Sequence, residues 1–170
     1  MTAEHGVDAI DAERLPVSAL VDSSVLIPAL RPARKTEDPA SRAFLEAMVR
    51  KGSRVMIAAP TLAELLRRPP KEQRPLMSQI EFVAFDADAA RRLAEKLPQQ
   101  VHLDHREGTA QPKNYIRYDA MIVACAVRHR AHVFVSTDTA QRAMANQAGL
   151  ITAVPSDYLK AQTTIPFPKR

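Results

Sequence analysis

Cysteine, glycine and aromatic residues are scarce in this 170-residue chain. A single cysteine, Cys125, excludes an intrachain disulfide and any zinc site built on several thiolates. It also fits a reducing compartment, so a cytoplasmic location is expected. Tryptophan is absent, and five Phe with three Tyr offer little surface on which nucleic-acid bases stack. Four glycines beside thirteen prolines exclude flexible low-complexity sequence, and no internal repeat is visible. The longest apolar run, Ala120 to Val127, is too short to span a bilayer, so no membrane partner is expected. The first residues carry Glu4, Asp8 and Asp11 without an apolar core, which argues against a signal peptide.

What remains is ordinary globular composition, 46% apolar and 25% charged, in a length suited to one domain. Basic residues exceed acidic ones, for a net charge of +5, which favours phosphate-bearing partners without proving one. Residues 1–17 are polar and aperiodic and are read as an N-terminal extension. Residues 18–154 form the domain, and 155–170 is a proline-containing tail. Short apolar runs at 18–21, 54–59, 81–85, 132–136 and 150–154 are candidate strands. Between them lie helical patterns at 23–30, 39–49, 60–68, 72–79, 87–97, 114–130 and 138–148. Pro28 and Pro32 are expected to stop the first helix, and Gly149 the last. Residues 98–113 form the longest loop. Strands apolar on both faces and alternating with helices predict an α/β fold. It has three layers, α/β/α, around a central parallel sheet of four to five short strands.

In such a fold, ligands bind at the carboxyl edge of the sheet. Asp22 ends the first strand, Glu64 lies in the helix after the second, and Asp138 follows the fourth. Asp119 lies near the start of the helix that feeds the fourth strand, so it too belongs to that edge. Each acid alone has a structural explanation. Asp22 can cap a helix, Thr61 with Glu64 has capping-box spacing, Asp138 with Gln141 has the same spacing, and Asp119 suits a helix N-terminus. Together they form a cluster that repels itself. Keeping it ionised takes a cation, and Mg²⁺ or Mn²⁺ suits all-oxygen ligands.

The segments V-D-S-S-V-L-I at 21–27, T-L-A-E-L-L at 61–66, Y-D-A-M-I-V-A-C-A at 118–126 and V-S-T-D at 135–138 resemble the four signature blocks of the PIN domain family. That family contains metal-dependent ribonucleases, including VapC-type toxins of toxin–antitoxin pairs. The resemblance implies that Asp22, Glu64, Asp119 and Asp138 are catalytic metal ligands for Mg²⁺ or Mn²⁺. It implies that Ser136 belongs to the same site, and that Ser24 takes a position often held by a small polar residue or Asn. It further implies an RNA substrate, a homodimer, and an antitoxin lying over an apolar groove near Leu26, Ile27, Leu30, Leu65 and Leu66. One departure stands out: Ala140 replaces an acid that many members carry two residues after the equivalent of Asp138, which weakens any second metal site.

Other candidates are read as structural. His102 with His105, and His129 with His132, lack the further ligands of a closed zinc site. Cys125 sits in an apolar helix, and Asp86 and Asp88 suit a helix cap. Asp104 and Glu107 lie in the long loop. Three basic groups flank the acidic edge: Arg31, Arg34 and Lys35; Arg67, Arg68, Lys71 and Arg74; and Lys113 with Arg117. Tyr115 and Tyr118 are the only aromatic residues expected near it. Competing readings are a phosphoacceptor or phosphatase-like α/β domain, and a non-catalytic binding module that keeps the fold. The first wants a lysine after its last core strand, and none occurs between Lys113 and Lys160. A phosphatase of the D-x-D-x-T type wants a second Asp after Asp22, where Ser24 stands.

Overall fold

The computed structural model describes residues 9–30, 39–67, 74–97 and 113–161. Arg31, Arg34, Lys35, Arg68, Lys71, His102, Asp104, His105 and Glu107 lie outside these residues, as do the side chains of Arg74, Lys113 and Tyr115. Five parallel strands form one sheet in the order β3-β2-β1-β4-β5. They are β1 (Ser18–Val21), β2 (Arg54–Ala58), β3 (Ile80–Val83), β4 (Val133–Val135) and β5 (Ile151–Ala153). The helices are α1 (Ser23–Leu30), α2 (Pro39–Lys51), α3 (Ala59–Arg67), α4 (Arg74–Met77), α5 (Ala87–Lys96), α6 (Lys113–Arg128) and α7 (Thr139–Gln147). The expected α/β class and three-layer arrangement are observed. Strand β3 starts one residue earlier than the apolar pattern suggested and ends two residues sooner.

Period-two alternation divides the strand residues between two cores. Ala19, Val21, Val55, Ile57, Val133 and Val135 face one layer, which holds Leu26, Phe44, Leu45 and Met48 of α1 and α2. Leu20, Met56, Ala58 and Phe134 face the other, with Ile122 and Val123 of α6 and Met144 of α7. Both faces are therefore dry, which is why the strands read as continuous apolar runs. Segments outside 18–154 pack here too. Ile10 and Leu15 are buried, Ile10 bridges Leu159, and the Tyr158 ring stacks on Phe44 at 5.1 Å.

Helix α1 does not stop at Pro28 but continues to Leu30. In so short a helix the proline removes only its own N–H bond to the Ser24 carbonyl. Helix α6 ends at Arg128, two residues before the expected end, because Arg130 adopts a left-handed conformation (φ 53°). Gly149 ends α7 as expected, with φ 88°. Among the described residues no helix is long and apolar enough to cross a membrane.

The sheet order reverses direction between β1 and β4, the position where open α/β sheets form a ligand crevice. Since Arg130 is exposed and carries a Cβ in left-handed backbone, Arg130→Gly is expected to stabilise the fold by about 0.5–1 kcal/mol. Chemical denaturation with an unchanged m-value would register this as a raised midpoint.

Candidate active site

The crevice between β1 and β4 is built by the last residues of both strands. The Asp22 N–H donates to Val135 O at 3.0 Å, which carries β1–β4 pairing one residue further. Its side chain then turns onto α1, where Oδ2 accepts the Ser24 N–H at 3.1 Å and Oδ1 faces the Ser23 hydroxyl at 3.4 Å. Asp22 therefore caps α1 while lining the cavity, and it is only 4% exposed. Asp138 also does both. It caps α7 by accepting the Gln141 N–H at 3.1 Å, and it borders the same cavity.

Glu64 and Asp119 do not fit their structural explanations. Helix α3 begins at Ala59, so Thr61 lies inside the first turn rather than at its cap. The Thr61 hydroxyl is fully buried and has no hydrogen-bond partner among the described residues, so no capping box forms with Glu64. Asp119 lies in the second turn of α6, beyond the reach of the helix N-terminal field. Both carboxylates instead line a cavity of about 370 Å³ with Asp22 and Asp138. The structure thus brings the four predicted acids together.

Ser136 lies behind the acids, completely buried and bonded to residues that line the cavity. Its hydroxyl accepts the Asp138 N–H at 3.0 Å and donates toward Gln141 Oε1 at 2.9 Å. Asp22 Oδ2 and Ser24 Oγ lie 3.3 and 3.2 Å away. Ser24 Oγ accepts the Thr137 N–H at 3.0 Å, and Arg142 holds the Ser136 carbonyl at 2.7 Å. The serines thus tie the ends of β1 and β4 together and fix both aspartates. Gln141 was missed by sequence reasoning, which treated it only as a capping partner. Its amide nitrogen reaches Asp22 Oδ1 at 3.3 Å and Asp119 Oδ1 at 3.4 Å. The one available signal was a glutamine three residues after a capping Asp, on the helix face directed at the sheet.

The electrostatics are one-sided. Burial, and then the charges of Asp22, Asp138 and Glu64, push the Asp119 carboxyl up to about 7. Among the described residues no Lys or Arg lines the cavity. Residues 19–147 match the PIN domain family.

The chain belongs to the PIN domain family.

No curated protein matches the sequence. Solved structures with a similar fold include two VapBC complexes. One is DNA-bound VapBC from Salmonella typhimurium, at 22% identity and a TM-score of 0.53, covering 81% of this chain and 98% of that one. The other is VapBC2 from Rickettsia felis bound to a DNA fragment from its promoter. It gives 17% identity and a TM-score of 0.53 over 80% of this chain and 97% of that one.

The remaining candidates among the described residues do not line this cavity. Cys125 is buried and contacts Ala84 O, and desolvation followed by the charge of Asp86 pushes its thiol up to about 12. His129 also faces Ala84 O, at 3.2 Å. Asp86 caps α5 through the Ala89 N–H at 2.8 Å, and Asp88 pairs with Arg91 and Arg128. Arg67, Arg117 and Tyr118 are exposed.

The raised Asp119 value has a definite sign in stability. Between its ordinary 3.8 and about 7, the folded state keeps a proton that the unfolded chain releases. Stability from this group is therefore greatest at low pH and falls as pH rises through that window. In metal-free protein, Asp119→Asn is expected to raise the melting temperature at pH 8 by about 3–6 °C, with little change at pH 4. Equal shifts at both pH values would contradict this origin.

Proposed function

We propose that this protein is a Mg²⁺- or Mn²⁺-dependent ribonuclease acting as the toxin of a toxin–antitoxin pair. The observation that carries the reading is the convergence of Asp22, Glu64, Asp119 and Asp138 on one cavity, where burial and then the neighbouring charges push Asp119 up to about 7. PIN family membership supports nuclease chemistry.

The donor set fits a hard divalent ion: it is all oxygen, negatively charged and without a competing side-chain cation among the described residues. Among the described residues no three His, Cys, Asp or Glu already stand close enough together to hold a metal ion, so the four acids line the cavity without forming a closed site. Asp22 and Asp119 would hold the ion, with Asp138 direct or through water, and Glu64 would ligate or orient the attacking water. Ala140 leaves no acid two residues after Asp138, which favours one ion over two. When bound, such an ion lowers the pKa of a water and stabilises charge on a phosphoryl oxygen.

The chain's own residues supply the rest. The Ser24 N–H holds the Asp22 carboxylate, the Gln141 N–H holds that of Asp138, and Ser136 Oγ accepts the Asp138 N–H, so the site needs little rearrangement when a phosphodiester enters. The excess of basic residues favours a polyanionic substrate, and we assign it to RNA. Absence of a lysine among the described cavity residues disfavours the phosphoacceptor alternative. Both solved neighbours belong to VapBC complexes, which supports an antitoxin partner here. The apolar surface for it is narrower than the sequence suggested. Leu26, Leu30 and Leu65 are core residues, whereas Leu66 is 62% exposed. We further infer a cytoplasmic homodimer, in keeping with the family resemblance.

The test is cleavage of total RNA and of tRNA with Mg²⁺ or Mn²⁺. Activity is expected to vanish with EDTA and to fall at least ~100-fold in Asp22→Asn. Cleavage that survives EDTA would refute the metal mechanism. Folded, ion-binding protein with no cleavage of any RNA would favour a non-catalytic binding module instead.

A further inference from the structure

Gln141 is 2% exposed and placed in the first turn of α7. The orientation of its amide is dictated by its neighbours. The Ser136 hydroxyl donates to Oε1, which turns Nε2 toward the acceptor oxygens Asp22 Oδ1 and Asp119 Oδ1. One amide nitrogen thus lies within 3.4 Å of an oxygen of each of the two acids assigned as principal ligands. It offers them partial positive charge in a site that otherwise repels itself.

An ion held by Asp22 and Asp119 would meet the positive end of the same N–H dipole. Both cannot occupy the space between Asp22 and Asp119 at full strength. We propose that Gln141 is a placeholder for the divalent cation, bracing Asp22 and Asp119 in the metal-free protein and giving way when the ion binds. This rests on the metal-dependent reading above. Its bonds then count for the metal-free state and against ion binding. Losing them weakens the metal-free fold, tightens ion binding, and leaves the metal-saturated fold unchanged. Ser136 tolerates the loss, since it still accepts the Asp138 N–H and has Asp22 Oδ2 at 3.3 Å to donate to.

Gln141→Met keeps the side-chain length while removing the amide, and Mn²⁺ is the probe. At pH 8, calorimetric Mn²⁺ affinity is expected to rise about tenfold. The metal-free melting temperature should fall by about 3–6 °C, and the Mn²⁺-saturated one should match wild type. Equal affinity, with metal-free and saturated proteins destabilised alike, would reduce Gln141 to a packing role and overturn the proposal. Weaker affinity would make it a ligand, which also overturns it. A second readout uses wild type alone and so does not depend on the variant folding. Titration with diamagnetic Mg²⁺ should shift the Gln141 side-chain NH₂ resonances and speed their solvent exchange. Ion binding that leaves them unchanged rejects the placeholder while sparing the metal reading. Wild type that binds neither ion rejects both.

Discussion

Repulsion among carboxylates held at one edge of a parallel sheet is the constraint around which this molecule is organised. Four acids arrive from β1, α3, α6 and the turn after β4, and a chain free to relax would spread them into water. The sheet prevents that. Asp22 is fixed by its bond to the β4 carbonyl of Val135, and Asp138 by the hydroxyl of buried Ser136. The cost appears in Asp119, where burial first and the neighbouring charges second push the carboxyl up to about 7. Functional sites commonly concentrate this kind of perturbation.

The same residues cap helices and line the cavity, and this dual service ties site geometry to fold stability. Asp22 starts α1 and Asp138 starts α7, so neither carboxylate can turn freely toward solvent. Each cap uses one carboxylate oxygen on a backbone N–H and leaves the group able to accept elsewhere. A structural explanation and a functional one are thus both correct for Asp22 and Asp138. They part company at Glu64 and Asp119, where capping fails and the cavity remains.

Much of this was legible in the sequence for a physical reason. Strands covered on both faces must be apolar throughout, so β1, β2 and β4 announced themselves, and the acids at their ends followed from parallel topology. What escaped depended on long-range contacts. The apolar Ile10 and Leu15 carry no period, and their burial requires the turn around Tyr158, almost the full chain away. Gln141 has the spacing of a cap partner, and its backbone does play that part. Only the packing of α7 against β4, β5 and α6 reveals that its amide reaches Asp22 and Asp119. The end of α6 was overrun because nothing in an arginine advertises left-handed backbone.

Cys125 is the chain's only thiol, sunk in the core beside Ala84 and pushed up to about 12. Thiolate is the reactive form, so alkylating reagents and peroxide find almost none of it at neutral pH. The wild-type chain is therefore chemically silent toward maleimides while folded. A cysteine introduced at an exposed position near the crevice, such as Thr137, would be the single labelled atom in the molecule. A fluorophore there reports on the carboxylate edge without background from the native thiol.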